Sequence, residues 1–195
     1  MERLKELGTE VDVARHYGYV VDWHVIGPFD NTDEKGFAVA YPPESEVDLA
    51  GEYSGKSATV QWTDAATDAD GKLDLHEAIE KLLGVTAYAT VAFQSDKRQT
   101  VEIRFSTVNA TKLWVNGELI AENEVYHTGD DFDQYRAVVT LEPGENRILL
   151  KICQNEMEPE WAHKWEFKLR VCDAVGTAVL STDRVAAAPN ASEAR

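Results

Sequence analysis

The chain has 195 residues, 44% of them hydrophobic, and its 35 acidic against 19 basic residues give a formal net charge of −16. Length and apolar content suit one sizeable core and argue against wholesale disorder. The acidity, with a sequence pI near 4.6 and no basic patch, argues against nucleic acid and anionic membrane surfaces. It is compatible with cations or neutral ligands, although an acidic surface most often serves solubility.

The first 18 residues read as a helical lead-in. MERLKEL stops at Gly8, Thr9 caps a second turn with Asp12 at the capping-box position, and Gly18 closes it. This charged start lacks the apolar core of a signal peptide. The compartment therefore stays open, including an extracytoplasmic place within a larger parent protein. No stretch reaches the length of a membrane-crossing helix, so membrane insertion is not expected.

From Tyr19 the character changes. YVVDWHVIGPF is rich in β-branched and aromatic residues and reads as a strand stopped at Gly27-Pro28. DNTDEKG and YPPESE read as loops, and SATVQW (57–62) as a strand. After an acidic loop, DLHEAIEKLLG predicts a short helix over 75–83, capped by Asp74, boxed by Glu77 and ended at Gly84. The rest reads as β: 86–94, 99–106, 111–115, 118–121, 134–141, 147–154 and 164–173. In QTVEIRFS, Val101, Ile103 and Phe105 alternate with Glu102 and Arg104, which marks a half-buried strand. WEFKLRV repeats this with Trp165, Phe167, Leu169 and Val171 inside.

KLWVNGELI, residues 112–120, carries the strongest hairpin signal, because a type I′ turn needs positive φ at two adjacent residues and Asn116-Gly117 supplies them. A two-residue turn sets Val115 against Glu118, Trp114 against Leu119 and Leu113 against Ile120. Trp114 and Leu119 then lie opposite the face of Leu113, Val115 and Ile120. The helix over 75–83, with Ile79, Leu82 and Leu83, is the expected cover for Trp114, whose burial is predicted. Cys153 and Cys172 sit late in strand-like runs, opposite the apolar alternation; buried free thiols are favoured over one disulfide.

Many short strands with little helix predict an all-β fold, a jelly-roll-like β-sandwich with a short N-terminal helical extension and one short inserted helix. The domain reading is lead-in 1–18, sandwich 19–180 and a loose tail 181–195. The order WHVIGPFDN, YPPE, DADGKLDL, AYATVAFQS, VEIRF, KLWVNGELI, LEPGENRILLKICQ and W-x-F-x-L-R resembles bacterial, planctomycete-type accessory β-sandwich modules, similar to galactose-binding-domain and protective-antigen-lectin jelly rolls. The resemblance covers about residues 19–180. It implies a non-catalytic module placed beside other domains of its polypeptide. Relatives of this kind carry an S-D-D-G stretch before the Trp hairpin, where paired aspartates can hold calcium. Here Ser106-Thr107-Val108-Asn109-Ala110 stands there, without the acidic pair.

ATDADGKLDLHE aligns in part with a calcium-binding loop through Asp68, Asp70, Asp74 and Glu77, but Ala66 occupies its first ligand position. An Asp-Gly turn followed by a capping box explains the same residues. No catalytic motif is present, the five histidines are scattered, and neither a metal nor another cofactor is expected.

Two loops place aromatic, histidine and acidic residues where packing does not demand them. YHTGDDFDQY offers Tyr126, His127, Asp130 and Asp131, and NEMEPEWAHKW offers Asn155, Trp161 and His163. Loops on a rigid sandwich are the usual place for binding groups. The favoured function is a non-catalytic binding module of a larger bacterial protein, for carbohydrate, with a glycan and neighbouring domains as partners. The alternative is a structural spacer or protein-docking domain, and an unrecognised hydrolase stands third.

Overall fold

The computed structural model describes residues 12–186. Two antiparallel sheets form a sandwich. The larger has the spatial order β4 (Thr63–Ala66), β1 (Asp22–Asp30), β6 (Val85–Ser95), β11 (Gly144–Gln154), β8 (Ala110–Val115) and β9 (Glu118–Asn123). The smaller runs β10 (Tyr135–Leu141), β7 (Gln99–Ser106), β12 (Glu166–Cys172) and β5 (Lys72–Asp74). A separate ribbon pairs β2 (Glu52–Ser54) with β3 (Thr59–Gln61). No helix among the described residues is long and apolar enough to cross a membrane.

Alternation builds the core as expected. Val101, Ile103 and Phe105 of β7 and Phe167, Leu169 and Val171 of β12 face Ala87, Ala89, Leu113, Val115, Leu150 and Ile152 of the larger sheet, in one buried cluster that also holds Trp165. Each large apolar side chain moved out of water here contributes about 1.5–3 kcal/mol.

The turn at Asn116-Gly117 has φ of 52° and 81°, so the sequence signal holds. The register holds for Val115–Glu118 and Trp114–Leu119, then slips: Leu113 faces Ala121, and Ile120 is the extra residue. This bulge leaves Leu119 exposed and keeps Ile120 packed on the main core.

Trp114 is buried, with Ile26, Phe29, Val60, Tyr88 and Leu149, on the outer face of the larger sheet. Its cover is not the helix. That helix is a single turn, Leu75–Ala78, and Ile79 and Leu82 pack on the main core instead. Tyr41, Val47, Tyr53 and Trp62, from the segment between β1 and β4, close over the cluster that holds Trp114. Lys151 anchors this covering segment. It is fully buried on β11, and its ammonium donates to Phe37 O at 3.1 Å, Val39 O at 2.7 Å and Glu44 Oε1 at 2.7 Å. Tyr88 donates its hydroxyl to the same Glu44 oxygen at 2.5 Å.

Three further local readings are corrected. β1 continues past Gly27-Pro28 to Asp30 after a register break between Ile26 and Phe29. The acidic stretch after Trp62 contains β4, and Lys72–Asp74 is a strand paired with β12. SATVQW gives strand only over Thr59–Gln61. At the start, the helix expected over MERLKEL lies outside the described residues. The helix that is described, Val13–Tyr17, is capped by Asp12, whose carboxylate accepts from Arg15 N at 2.8 Å, and closes at Gly18 with φ of 79°. Gly18 O accepts from Val171 N at 3.0 Å and Tyr17 O from Arg170 Nη1 at 3.1 Å, so residues 17 and 18 lie against β12. At the other end, helix Thr182–Ala186 follows Ser181, whose hydroxyl accepts from Gln94 N at 2.8 Å.

The outer face of the smaller sheet is not simply wet. Asp133, from the loop after β9, reaches across Arg104 and Arg170: its carboxylate takes Arg170 Nη2 and Nε at 2.6 Å and Arg104 Nη1 at 2.7 Å. Glu102 pairs with Arg104 at 2.7 Å, and Phe132 lies 4.9 Å from the Arg170 guanidinium. Glu102 and Arg170 are thereby buried.

Both cysteines are free and buried. Burial, the main cause, pushes the Cys153 thiol up to about 11 and raises Cys172 as well. A thiolate is the reactive form. At pH 8 the native protein is therefore expected to resist an aromatic disulfide reagent, and both thiols should react once denaturant is added. Rapid reaction of either in native buffer contradicts this burial.

Candidate functional site

The register brings the loops together at one end of the sandwich. Asp30, the end of β1, and Gln154, the end of β11, both lie beside Val85, the start of β6. Cys153 lies beside Ala110, and Thr111 beside Asn123. In the smaller sheet Tyr135 faces Phe105 and Glu166 faces Asp74. Segments 31–37, 75–84, 107–109, 124–134 and 155–165 therefore share that end.

Short polar side chains fasten them. Asn109 donates to Lys164 O at 3.0 Å, Thr107 Oγ1 to Glu166 O at 2.7 Å, and Gln154 to His163 O at 2.9 Å. Asn31, fully buried, donates to Gln154 O at 2.8 Å and to the Tyr126 hydroxyl at 3.2 Å. Thus Thr107 and Asn109 hold loop backbone.

On this floor the two loops singled out in the sequence meet. The rings of His127 and Trp161 stand edge to face, 5.3 Å between centroids. His127 Nε2 lies 2.8 Å from Asn155 Oδ1. Met157 N–H donates to that same oxygen at 3.2 Å. A backbone N–H can only donate, so the amide orientation is fixed and His127 Nε2 must carry a proton. The Asn155 amino group then donates to Glu34 Oε1 at 2.9 Å. A continuous line of contacts runs Trp161, His127, Asn155, Glu34.

Asn155 is buried, whereas Trp161 keeps 64% of its surface exposed. Four non-glycine residues of these end loops have left-handed backbone: Asp33 (φ 56°), Glu34 (φ 62°), His127 (φ 56°) and Asp133 (φ 57°). Such conformations cost free energy and persist where surrounding contacts enforce them. Those contacts are present: Asp33 N–H donates to Glu156 Oε2 at 3.0 Å, and His127 N–H to Val108 O at 2.6 Å.

Tyr126 forms the inner edge, packed with Phe37, Ala110 and Cys153, and burial pushes its phenol well above the ordinary range. Asp130 lies further out, 3.5 Å from Lys164. Asp131 is exposed and serves a turn, its carbonyl accepting from Gln134 N. His163 lines a neighbouring groove of ≈ 550 Å³ with His76, Leu82 and Trp165. It is a staple: its carbonyl lies 2.5 Å from His76 Nε2. The structure thus brings together Tyr126, His127, Asn155 and Trp161, and leaves Asp130, Asp131 and His163 to the side.

Sequence reasoning missed Asn31, Asp33, Glu34 and Glu156. The segment DNTDEKG read only as loop, and nothing in it announces two consecutive left-handed residues. In the stretch resembling a calcium loop, Asp68 Oδ1 accepts from Asp70 N and Lys72 N, both at 2.9 Å, and Asp74 Oδ1 from His76 N at 2.9 Å. These are a turn and a helix cap. Among the described residues no three His, Cys, Asp or Glu side chains converge as a metal-holding set.

No protein-family model and no curated protein sequence matches this chain. Among solved structures it is similar to a family 35 carbohydrate binding module from Clostridium thermocellum, at 14% identity over 43% of this chain and 69% of that one, TM-score 0.30. It is similar to the beta-glucosidase from Kluyveromyces marxianus in complex with glucose, at 12% identity over 94% of this chain and 22% of that one, TM-score 0.46. A third similar structure is a Faecalibacterium prausnitzii beta-glucuronidase, at 19% identity over 72% of this chain and 22% of that one, TM-score 0.39.

Proposed function

We propose that this chain is a non-catalytic carbohydrate-binding module whose site is the cluster at the loop end of the sandwich. One observation carries the reading: Trp161 is largely exposed, yet its ring is braced by His127, whose own position is fixed through Asn155 and a left-handed backbone. An aromatic face presented this way suits the apolar face of a pyranose, with Glu34 and His127 beside it for hydroxyl groups. The non-catalytic part rests on exposure. Glu34 and Glu156 are both open to solvent, whereas acid catalysis by paired carboxylates needs one sheltered carboxyl.

The test is a glycan array followed by calorimetry with the oligosaccharide it identifies. Trp161→Ala is expected to weaken binding about tenfold, the size of one well-placed aromatic contact. The melting temperature should stay nearly unchanged, because a surface truncation costs no more than about 0.5 kcal/mol. Equal affinity in the variant removes Trp161 from the site. Silence across the array favours a structural spacer or docking domain.

A further inference from the structure

The edge of a sheet presents unpaired backbone N–H and C=O groups, and folds usually protect it. Three of the four edges of this sandwich are protected. β4 has four residues and β5 three, short templates for a partner strand, and β9 carries the bulge at Ile120. β10 differs. It pairs with β7 residue for residue, from Tyr135–Phe105 to Leu141–Gln99, without bulge, proline, glycine or lysine. No strand borders its other side, and among the described residues no backbone hydrogen bond reaches it except those to β7. Val138, at its midpoint, keeps 64% of its surface exposed.

Charge points to the same edge. The chain has 35 acidic and 19 basic residues, yet the four strands of the smaller sheet hold five cations and three carboxylates, and β10 itself holds only Arg136. A copy of an acidic chain is repelled least there. Arg136 ends a cross-strand row with Arg104 and Arg170. Two carboxylates serve these three guanidinium groups. Asp133 lies on Arg170 and Arg104, and Glu102 lies 2.7 Å from Arg104 but 3.8 Å from Arg136. The outermost cation is the least compensated.

We infer that β10 is a self-pairing edge: it joins β10 of a second copy, antiparallel, about a two-fold axis at Val138, making one eight-stranded sheet from two four-stranded ones. Val138 then meets its own counterpart, an apolar pair, and Arg136 faces Thr140 of the second copy. The next residue on that face is Glu142 of the second copy, one diagonal step from Arg136 and within reach of a long side chain. Glu142 Oε1 holds Arg98 at 3.0 Å, and its Oε2 has no partner among the described residues. Symmetry repeats every contact, and no like charges stand opposite each other along the seam. Because the paired strands are antiparallel, the loop ends of the two copies point in opposite directions.

Sedimentation equilibrium of the full chain tests this. At about 100 μM and physiological salt the average mass is expected to rise from 21.7 kDa toward twice that value. Val138→Lys sets two ammonium groups against each other at the axis and should weaken association at least about tenfold. Its melting temperature should stay nearly unchanged, since the position is exposed. Val175→Lys makes the same change of charge away from the edge and should leave association as it is. Val138→Cys should cross-link two copies under mild oxidation, because directly opposed residues lie about 4.5–5.5 Å apart between Cα atoms, within disulfide range. Thr140→Cys, displaced from the axis, should not. The native thiols are buried and stay out of this reaction. A chain that remains monomeric overturns the inference. So does a dimer that is indifferent to Val138→Lys, that Val175→Lys weakens equally, or that cross-links equally through both introduced cysteines.

Discussion

Trp114→Ala should lower stability by about 3–5 kcal/mol while leaving any glycan affinity intact. The indole lies on the outer face of the larger sheet, only 7% exposed, beside Leu149 in the cluster that holds Phe29 and Tyr88, over which Tyr41, Val47, Tyr53 and Trp62 pack. Removing it takes away the burial and leaves a void that the roof cannot fill. Lys151 fixes that roof from below through the carbonyls of Phe37 and Val39. The residues of the proposed site lie at the loop end and none belongs to this cluster. Urea unfolding gives the first number and calorimetry the second. A midpoint close to wild type shows that the roof collapses freely, and a stable variant that has lost its ligand moves the site to the hairpin.

Asp133→Asn is expected to be as damaging, and to remove part of the acid sensitivity of the fold. Among the described residues its carboxylate is the sole acidic partner of Arg170, and it shares Arg104 with Glu102. Breaking a sheltered ion pair from one side leaves a charge without compensation, at about 3–5 kcal/mol. Burial alone raises the Asp133 carboxyl, but the hydrogen bonds and charges of Arg170 and Arg104 outweigh it, and the group is held below its ordinary 3.8. A carboxyl so depressed adds stability that is complete above the unfolded value and is lost as pH falls through the folded one. Wild-type stability should therefore fall below pH 3.8, and the variant should lack this share of the slope. Urea titrations between pH 7 and pH 2.5 measure both. Equal slopes in the two proteins mean that Asp133 is not the group being titrated.

The two variants mark what the sequence could and could not convey. Strict alternation in QTVEIRFS and WEFKLRV names the core face because one side of each strand meets a sheet of matching pattern. Trp114 was legible as a buried residue, yet its roof was not, since Tyr41, Val47, Tyr53 and Trp62 have no common period and lie on an irregular segment that Lys151 ties down through Glu44. β4 and β5 are short and polar, and their strand character comes from β1 and β12 beside them. The ion pairs over Arg170 look, in sequence, like an ordinary solvated face. At the loop end, composition singled out Tyr126, His127, Asn155 and Trp161. Glu34 stayed hidden, because its role depends on a backbone conformation that a glutamate seldom adopts.

The left-handed backbone at Asp33, Glu34 and His127 has a kinetic meaning. Its conformational cost is met when the chain folds, through Glu156 and Val108, and so falls outside the binding step. Loops already fixed need not order around a sugar, which spares the entropy that ordering removes and lets the first encounter lead straight to the bound state. Association should then proceed at the same rate in wild type and in an uncharged rim variant such as Trp161→Ala. Their differences in affinity should appear as differences in how long the sugar stays.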